Sequence, residues 1–230
     1  MPIAHPSLAE YLFLDLDGTL TDSSEDITRG VMYTLKRFGI RENDASKLLC
    51  FIGPPLYRSF MDHYGFSKEK AYEAVAVFQE YYADKGAFEN RPYPGIPELL
   101  HTWNRQGRKL VLVTSKPEIH ARRILEHFGM ALDFLLIAGS DLDETRVEKD
   151  MILGHALSCL EPSASRNAVM IGDRKFDVLG AARHGIPTLG VLYGFGTREE
   201  LEASGAAWIV NDAAELAAIM EPGTSPLLPA

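Results

Sequence analysis

The chain has 230 residues, 46% hydrophobic and 24% charged, the balance of a folded globular protein and not of a disordered one. Its 23 Lys and Arg against 32 Asp and Glu give a formal charge of −9, so nucleic-acid polymers and anionic membranes are excluded as general partners by repulsion. No window approaches the roughly 18 uninterrupted apolar residues of a membrane-spanning helix, and residues 1–6 lack the basic flank and apolar stretch of a signal peptide; a cytoplasmic location is expected.

Residues 11–16 form a short apolar run of strand-forming side chains that ends at the turn dipeptide Asp17-Gly18. The stretch 22–91 then shows helical periodicity and no central strand. Ile27, Val31, Leu35 and Phe38 share one helix face, and Ala71, Val75, Phe78 and Tyr82 share another. Ser67 is placed to cap the second of these helices. Ile52-Gly53-Pro54-Pro55 forces a break between helices, because proline cannot continue one and restricts the residue before it.

Four further apolar runs, at 109–114, 134–138, 168–171 and 188–192, alternate with helical stretches at 96–105, 118–127, 149–159 and 176–184. A run at 207–210 reads as an edge strand, 213–220 as a closing helix, and the Pro- and Gly-containing 221–230 as a tail. Continuous apolar strands alternating with helices predict an α/β fold with a doubly wound, Rossmann-like parallel sheet, whose ligands bind at the carboxyl ends of the strands. The expected division is a core of residues 1–21 and 92–230 and an inserted α-helical cap of residues 22–91. The two connections, at 21–25 and 89–94, would lie side by side and could act as a hinge.

The polar residues that stand out all follow strands. Asp15 and Asp17 are two apart in an extended segment and so point the same way. Paired carboxylates repel unless a cation or a shared proton separates them, and for phosphoryl transfer one can attack while the other shuttles a proton. Gly18 permits a tight turn that presents amide groups to an anion. Asp173 and Asp177, four apart at the start of a predicted helix, form a second acidic pair at the same edge; capping by Asp173 accounts for only one of them. Such an oxygen-rich site suits Mg²⁺. Thr114 and Ser115 lead into a helix primed by Pro117, a place for anions to bind, and Lys149 opens another predicted helix. The seven histidines fall in no metal-binding spacing and are read as structural or surface residues. Cys50 and Cys159, in no ligand spacing either, are read as small buried hydrophobes.

Asp15-Leu16-Asp17-Gly18-Thr19-Leu20-Thr21, Thr114-Ser115, Lys149 and Gly172-Asp173-Arg174-Lys175-Phe176-Asp177 resemble, in order, the four motifs of the haloacid dehalogenase superfamily, over residues 11 to 220. The position of the helical insertion resembles the subgroup that includes phosphoglycolate phosphatases and bacterial 5′-nucleotidases, as does Phe51-Ile52-Gly53-Pro54-Pro55-Leu56. The resemblance implies an Mg²⁺-dependent phosphatase acting on a small phosphorylated metabolite. Asp15 would be the nucleophile that forms an aspartyl-phosphate, and Asp17 the general acid and base. Thr114 or Ser115 and Lys149 would hold the phosphoryl oxygens. Asp15, Asp173 and the backbone carbonyl of Asp17 would ligate the metal, with Asp177 nearby or reaching it through water. Gly53 and Arg58 are the candidate specificity residues of the cap. A phosphomutase of the same fold, and a non-catalytic phospho-acceptor or scaffold, are the alternatives; the occupied Asp15 and Asp17 positions favour turnover. Monomer and homodimer are both open.

Overall fold

In the computed structural model, which describes residues 3–84, 89–142 and 146–221, six strands form one parallel sheet. They are β1 (Tyr11–Leu14), β4 (Lys109–Pro117), β5 (Phe134–Ser140), β6 (Ala168–Gly172), β7 (Thr188–Val191) and β8 (Trp208–Val210), in the order β5-β4-β1-β6-β7-β8. β1 is paired on both sides, with Leu12 opposite Leu110 of β4 and Val169 of β6. Its four residues are all buried, which is why the strand reads as a continuous apolar run. Alternation sends Leu12 and Leu14 into one hydrophobic cluster and Tyr11 and Phe13 into another, one on each face of the sheet.

Helices α4 (Ile96–Arg105), α5 (Glu118–His127), α6 (Lys149–Ser158), α7 (Lys175–Ala182) and α8 (Arg198–Ser204) lead from strand to strand of the sheet after the insertion, and α9 (Ala213–Met220) follows β8. From β1 the chain builds outward to β4 and β5 on one side, then crosses back to β6, β7 and β8 on the other. The carboxyl end of β1 is therefore the reversal point, where loops diverge and leave a crevice.

Between β1 and β4 the chain inserts α1 (Ser24–Arg37), α2 (Leu56–Tyr64) and α3 (Lys68–Asp84). Two short strands flank the insertion, β2 (Thr21–Asp22) and β3 (Arg91–Pro92), and pair antiparallel, so its entry and exit lie together. Ile27, Val31 and Leu35 of α1 and Ala71, Val75, Phe78 and Tyr82 of α3 are buried, with Phe38 partly so. The Lys70 amide bonds to Ser67 Oγ at 3.3 Å, as a capping serine should. Gly53, at φ 104°, turns the chain ahead of α2, which starts at Leu56 behind Pro55.

Some boundaries differ from the sequence expectation. β4 continues to Pro117, with an irregular register against β5 between Val113 and Pro117. α7 begins at Lys175 behind Arg174, and Asp173 is not its cap: the Arg174 amide bonds to Asp177 Oδ2 at 3.1 Å instead. The cysteines are free and not buried, Cys50 being half-buried and Cys159 exposed. The expected tail at 222–230 lies outside the described residues. Among the described residues no helix is long and apolar enough to cross a membrane.

Leu112 is fully buried in β4, next to the central strand. Leu112→Ala is expected to cost about 2–5 kcal/mol, from lost transfer free energy and the cavity left behind; chemical denaturation measures it.

Candidate active site

Apart from Gly53 and Arg58, which lie on the helical insertion, the polar residues singled out in the sequence gather at the carboxyl edge of the sheet. Asp15 follows β1 directly, Thr114 and Ser115 lie in the second half of β4, Lys149 opens α6, and Asp173 and Asp177 flank the β6–α7 junction. The Lys149 ammonium sits 2.8 Å from Asp15 Oδ1 and 2.8 Å from Asp177 Oδ1, and donates to the Val113 carbonyl at 3.1 Å. Asp173 completes the group: one oxygen each from Asp15, Asp173 and Asp177 lie within 4.8 Å of one another, all three residues buried. Asp173 Oδ2 accepts the Phe195 amide at 2.7 Å, from the loop after β7.

Close packing makes this possible. A Cβ on Gly18, whose φ is 81°, would stand 2.1 Å from Asp173 Oδ2. A Cβ on Gly180 would stand 2.9 Å from the Lys149 stem. The Gly18 amide itself is committed to the Thr21 carbonyl at 2.8 Å, so what this glycine contributes is room and a tight turn.

Three buried carboxylates thus face one ammonium. Burial pushes the Asp15 carboxyl up to about 7; Lys149 pulls it down, and Asp177 pushes it up again. Asp173 is driven well above the usual carboxylate range, by burial first and then by Asp177 and Asp15. Burial alone would lower Lys149, but the charges of Asp15 and Asp177 outweigh it and raise the group. Desolvation of unpaired charge costs several kcal/mol per ion, so the cluster is short of positive charge. Hard oxygen donors lacking positive charge are what Mg²⁺ binds, and Asp15, Asp173 and Asp177 fit such an ion.

A second buried cation was not marked in the sequence. Lys116 Nζ donates to Asp17 Oδ1 at 2.7 Å and to the Tyr82 hydroxyl at 2.7 Å. The Tyr82 hydroxyl in turn donates to Asp26 Oδ2, which also accepts from Asn90 Nδ2 at 3.2 Å. Tyr82 reads in sequence as one more apolar-face aromatic, and Asp26 as one more acid in the first turn of a helix. A cavity opens above Asp15 and Asp17. Thr114, Ser115 and Lys116 line it from the core, and Ile27, Phe51, Gly53, Pro54, Pro55, Leu56, Phe78, Gln79 and Tyr82 from the insertion. The Thr114 hydroxyl accepts the Lys116 amide at 3.3 Å, which leaves its proton free to donate.

Arg58 is not among the residues that line the cavity; its guanidinium bonds to Glu148 Oε1 at 2.7 Å. His120, read as structural, lines the cavity, with Nε2 2.7 Å from Gln79 Oε1.

Residues 12–191 match the family model of the haloacid dehalogenase-like hydrolases, a span that contains Asp15, Asp17, Lys149, Asp173 and Asp177. The chain belongs to this family. It is similar to a 5′-nucleotidase from Pseudomonas aeruginosa, at 45% identity over 210 residues, 91% of this chain and 95% of that protein. The crystal structure of a predicted phosphatase from Clostridium acetobutylicum matches with a TM-score of 0.88 and 45% identity, covering 91% of this chain and 97% of that one. Tyrosine-protein kinase PtkA from Mycobacterium tuberculosis is 36% identical over 204 residues, 89% of this chain and 69% of that protein.

His120 supplies a pH test within this family member. Burial, then Lys116 and Arg123, push its imidazole down from 6.5 to about 4. The folded state therefore holds fewer protons than the unfolded one across that window, and stability is lost as pH falls from 6.5 towards about 4. Urea titrations of wild type and His120→Phe are expected to show the wild type losing more stability than the variant between those pH values.

Proposed function

We propose that the chain hydrolyses a small phosphomonoester, of the nucleoside monophosphate or phosphoglycolate type, through an aspartyl-phosphate on Asp15 with Mg²⁺ as cofactor. The observation that carries this reading is the buried set of Asp15, Asp173 and Asp177 around Lys149, with a second carboxyl, Asp17, facing the same cavity. The family membership and the similarity to a 5′-nucleotidase support it.

Asp15, Asp173, Asp177 directly or through water, and the Asp17 carbonyl would hold the metal. A bound Mg²⁺ supplies the charge neutralisation that phosphoryl transfer requires. Lys149 fixes the Asp15 carboxylate in place. A carboxylate oxygen of Asp15 bonds to phosphorus as the ester P–O bond breaks, and the departing oxygen takes a proton from Asp17. Water then attacks the aspartyl-phosphate and gives its proton to Asp17. Inorganic phosphate leaves, and both carboxyl groups return to their starting states. Thr114 and Ser115 donate to the phosphoryl oxygens.

Residues 22–91 act as the cap of this site. Phe51, Pro54, Pro55 and Phe78 form an apolar wall over the nucleophile, which excludes water other than the one consumed.

Phosphate release from p-nitrophenyl phosphate is expected to require Mg²⁺ and to stop with EDTA. Asp15→Asn is expected to lower kcat at least about a thousandfold. A panel of nucleoside monophosphates, phosphoglycolate and sugar phosphates then identifies the natural ester. Silence on every ester, or metal-independent turnover that survives Asp15→Asn, overturns the reading.

A further inference from the structure

Lys116 and Lys149 are separate buried cations with separate partners. Lys149 serves Asp15 and Asp177. Lys116 serves Asp17, at 2.7 Å, and is itself gripped from the helical insertion, by Tyr82 at 2.7 Å and Asp26 at 3.8 Å. Tyr82 comes from α3, Asp26 from α1, and Asn90, which donates to Asp26 at 3.2 Å, from the segment just before β3. Relative exposures of 8% for Lys116, 1% for Tyr82, 0% for Asp26 and 2% for Asn90 mean that water does not compete for these groups. A solvated lysine would wander over many rotamers; this one has a single geometry.

That geometry bears on Asp17. An ammonium that donates to Oδ1 claims that oxygen as an acceptor, so a proton exchanged by Asp17 is carried on Oδ2. Burial by itself would drive the Lys116 ammonium towards neutrality, but the charges of Asp17 and Asp26 overcome this and keep it a cation. Asp26 also accepts the Ile27 amide at 2.8 Å, which ties the network to the first turn of α1.

We propose that Lys116 is the positioning residue of Asp17, and that Tyr82 and Asp26, by holding Lys116 from α3 and α1, make the acid–base step of the core depend on the docked helical insertion. The proposal rests on reading Asp15 as nucleophile and Asp17 as its acid–base partner. Lys116 acts through Asp17. A cap that merely covers the cavity would leave the protonation of the leaving group unchanged when the Tyr82 hydroxyl is removed. A cap that helps aim Asp17 would not.

The test is the dependence of kcat/KM on the leaving group, since kcat/KM covers the steps up to departure of the alcohol or phenol. Dinitrophenyl, p-nitrophenyl and phenyl phosphate form the series; dinitrophenolate leaves without a proton, phenol needs one. Lys116→Met is expected to lower kcat/KM for phenyl phosphate by about a hundredfold, and for dinitrophenyl phosphate only slightly. Tyr82→Phe keeps the ring packing and loses only the hydroxyl; it is expected to act in the same direction, by about tenfold on phenyl phosphate, and decides the matter if Lys116→Met does not fold. Equal losses on all three esters in Tyr82→Phe, or no loss on any, would overturn the proposal. Asp15→Asn run beside them must abolish turnover of every ester; if it does not, the nucleophile reading fails, separately from the role of Lys116.

Discussion

The Lys149 ammonium, buried between Asp15 and Asp177 at 2.8 Å from each, is the contact on which the geometry of the site depends. Without it, three carboxylates would be packed together in a desolvated pocket with no cation between them. With it, two of the three are held by one cation and the third, Asp173, is held by the Phe195 amide. The remaining deficit of positive charge is what a divalent cation would offset.

The sheet order explains why these groups meet. β1, β4 and β6 are adjacent, so the residues that follow them, and the start of α6 after β5, converge at one edge although they are scattered along the chain from Asp15 to Asp177. The helical insertion leaves from the same edge and returns to it through the paired β2 and β3. It can therefore place side chains over Asp15 and Asp17 without disturbing the sheet. The two lysines divide the electrostatic work, Lys149 on Asp15 and Lys116 on Asp17, and only the second is anchored to the insertion.

Much of the fold was legible because burial leaves a direct mark on composition. A strand covered on both faces must be apolar throughout, and β1 and β6 are; a helix packed on one side repeats its apolar residues every three or four, as α1 and α3 do. Asp15 with Asp17, and Asp173 with Asp177, stood out because each pair sits directly after such a strand. Lys149 was visible only through its order among the other motifs. Lys116, Asp26 and Tyr82 carried no local signal, since a lysine after a strand, an acid in a first helical turn and an aromatic on an apolar face are each ordinary. Their meaning lies in a contact between residues 34 and 90 positions apart.

Neighbours that sequence does not show decide what each group can do. Glu148 stands beside Arg58, the Gly18 amide is spent on the Thr21 carbonyl, and Cys159 is exposed where its residue type alone suggests burial. By itself, then, the sequence determined the strand–helix alternation, the helical insertion's apolar faces and the acidic pairs at strand ends, because these depend on periodicity and on residues a few positions apart. Only the tertiary structure decided which donors are already spent, which cation faces which carboxylate, and that the lysine beside Asp17 is held from the insertion, because hydrogen bonds and desolvation depend on distances that sequence separation does not encode.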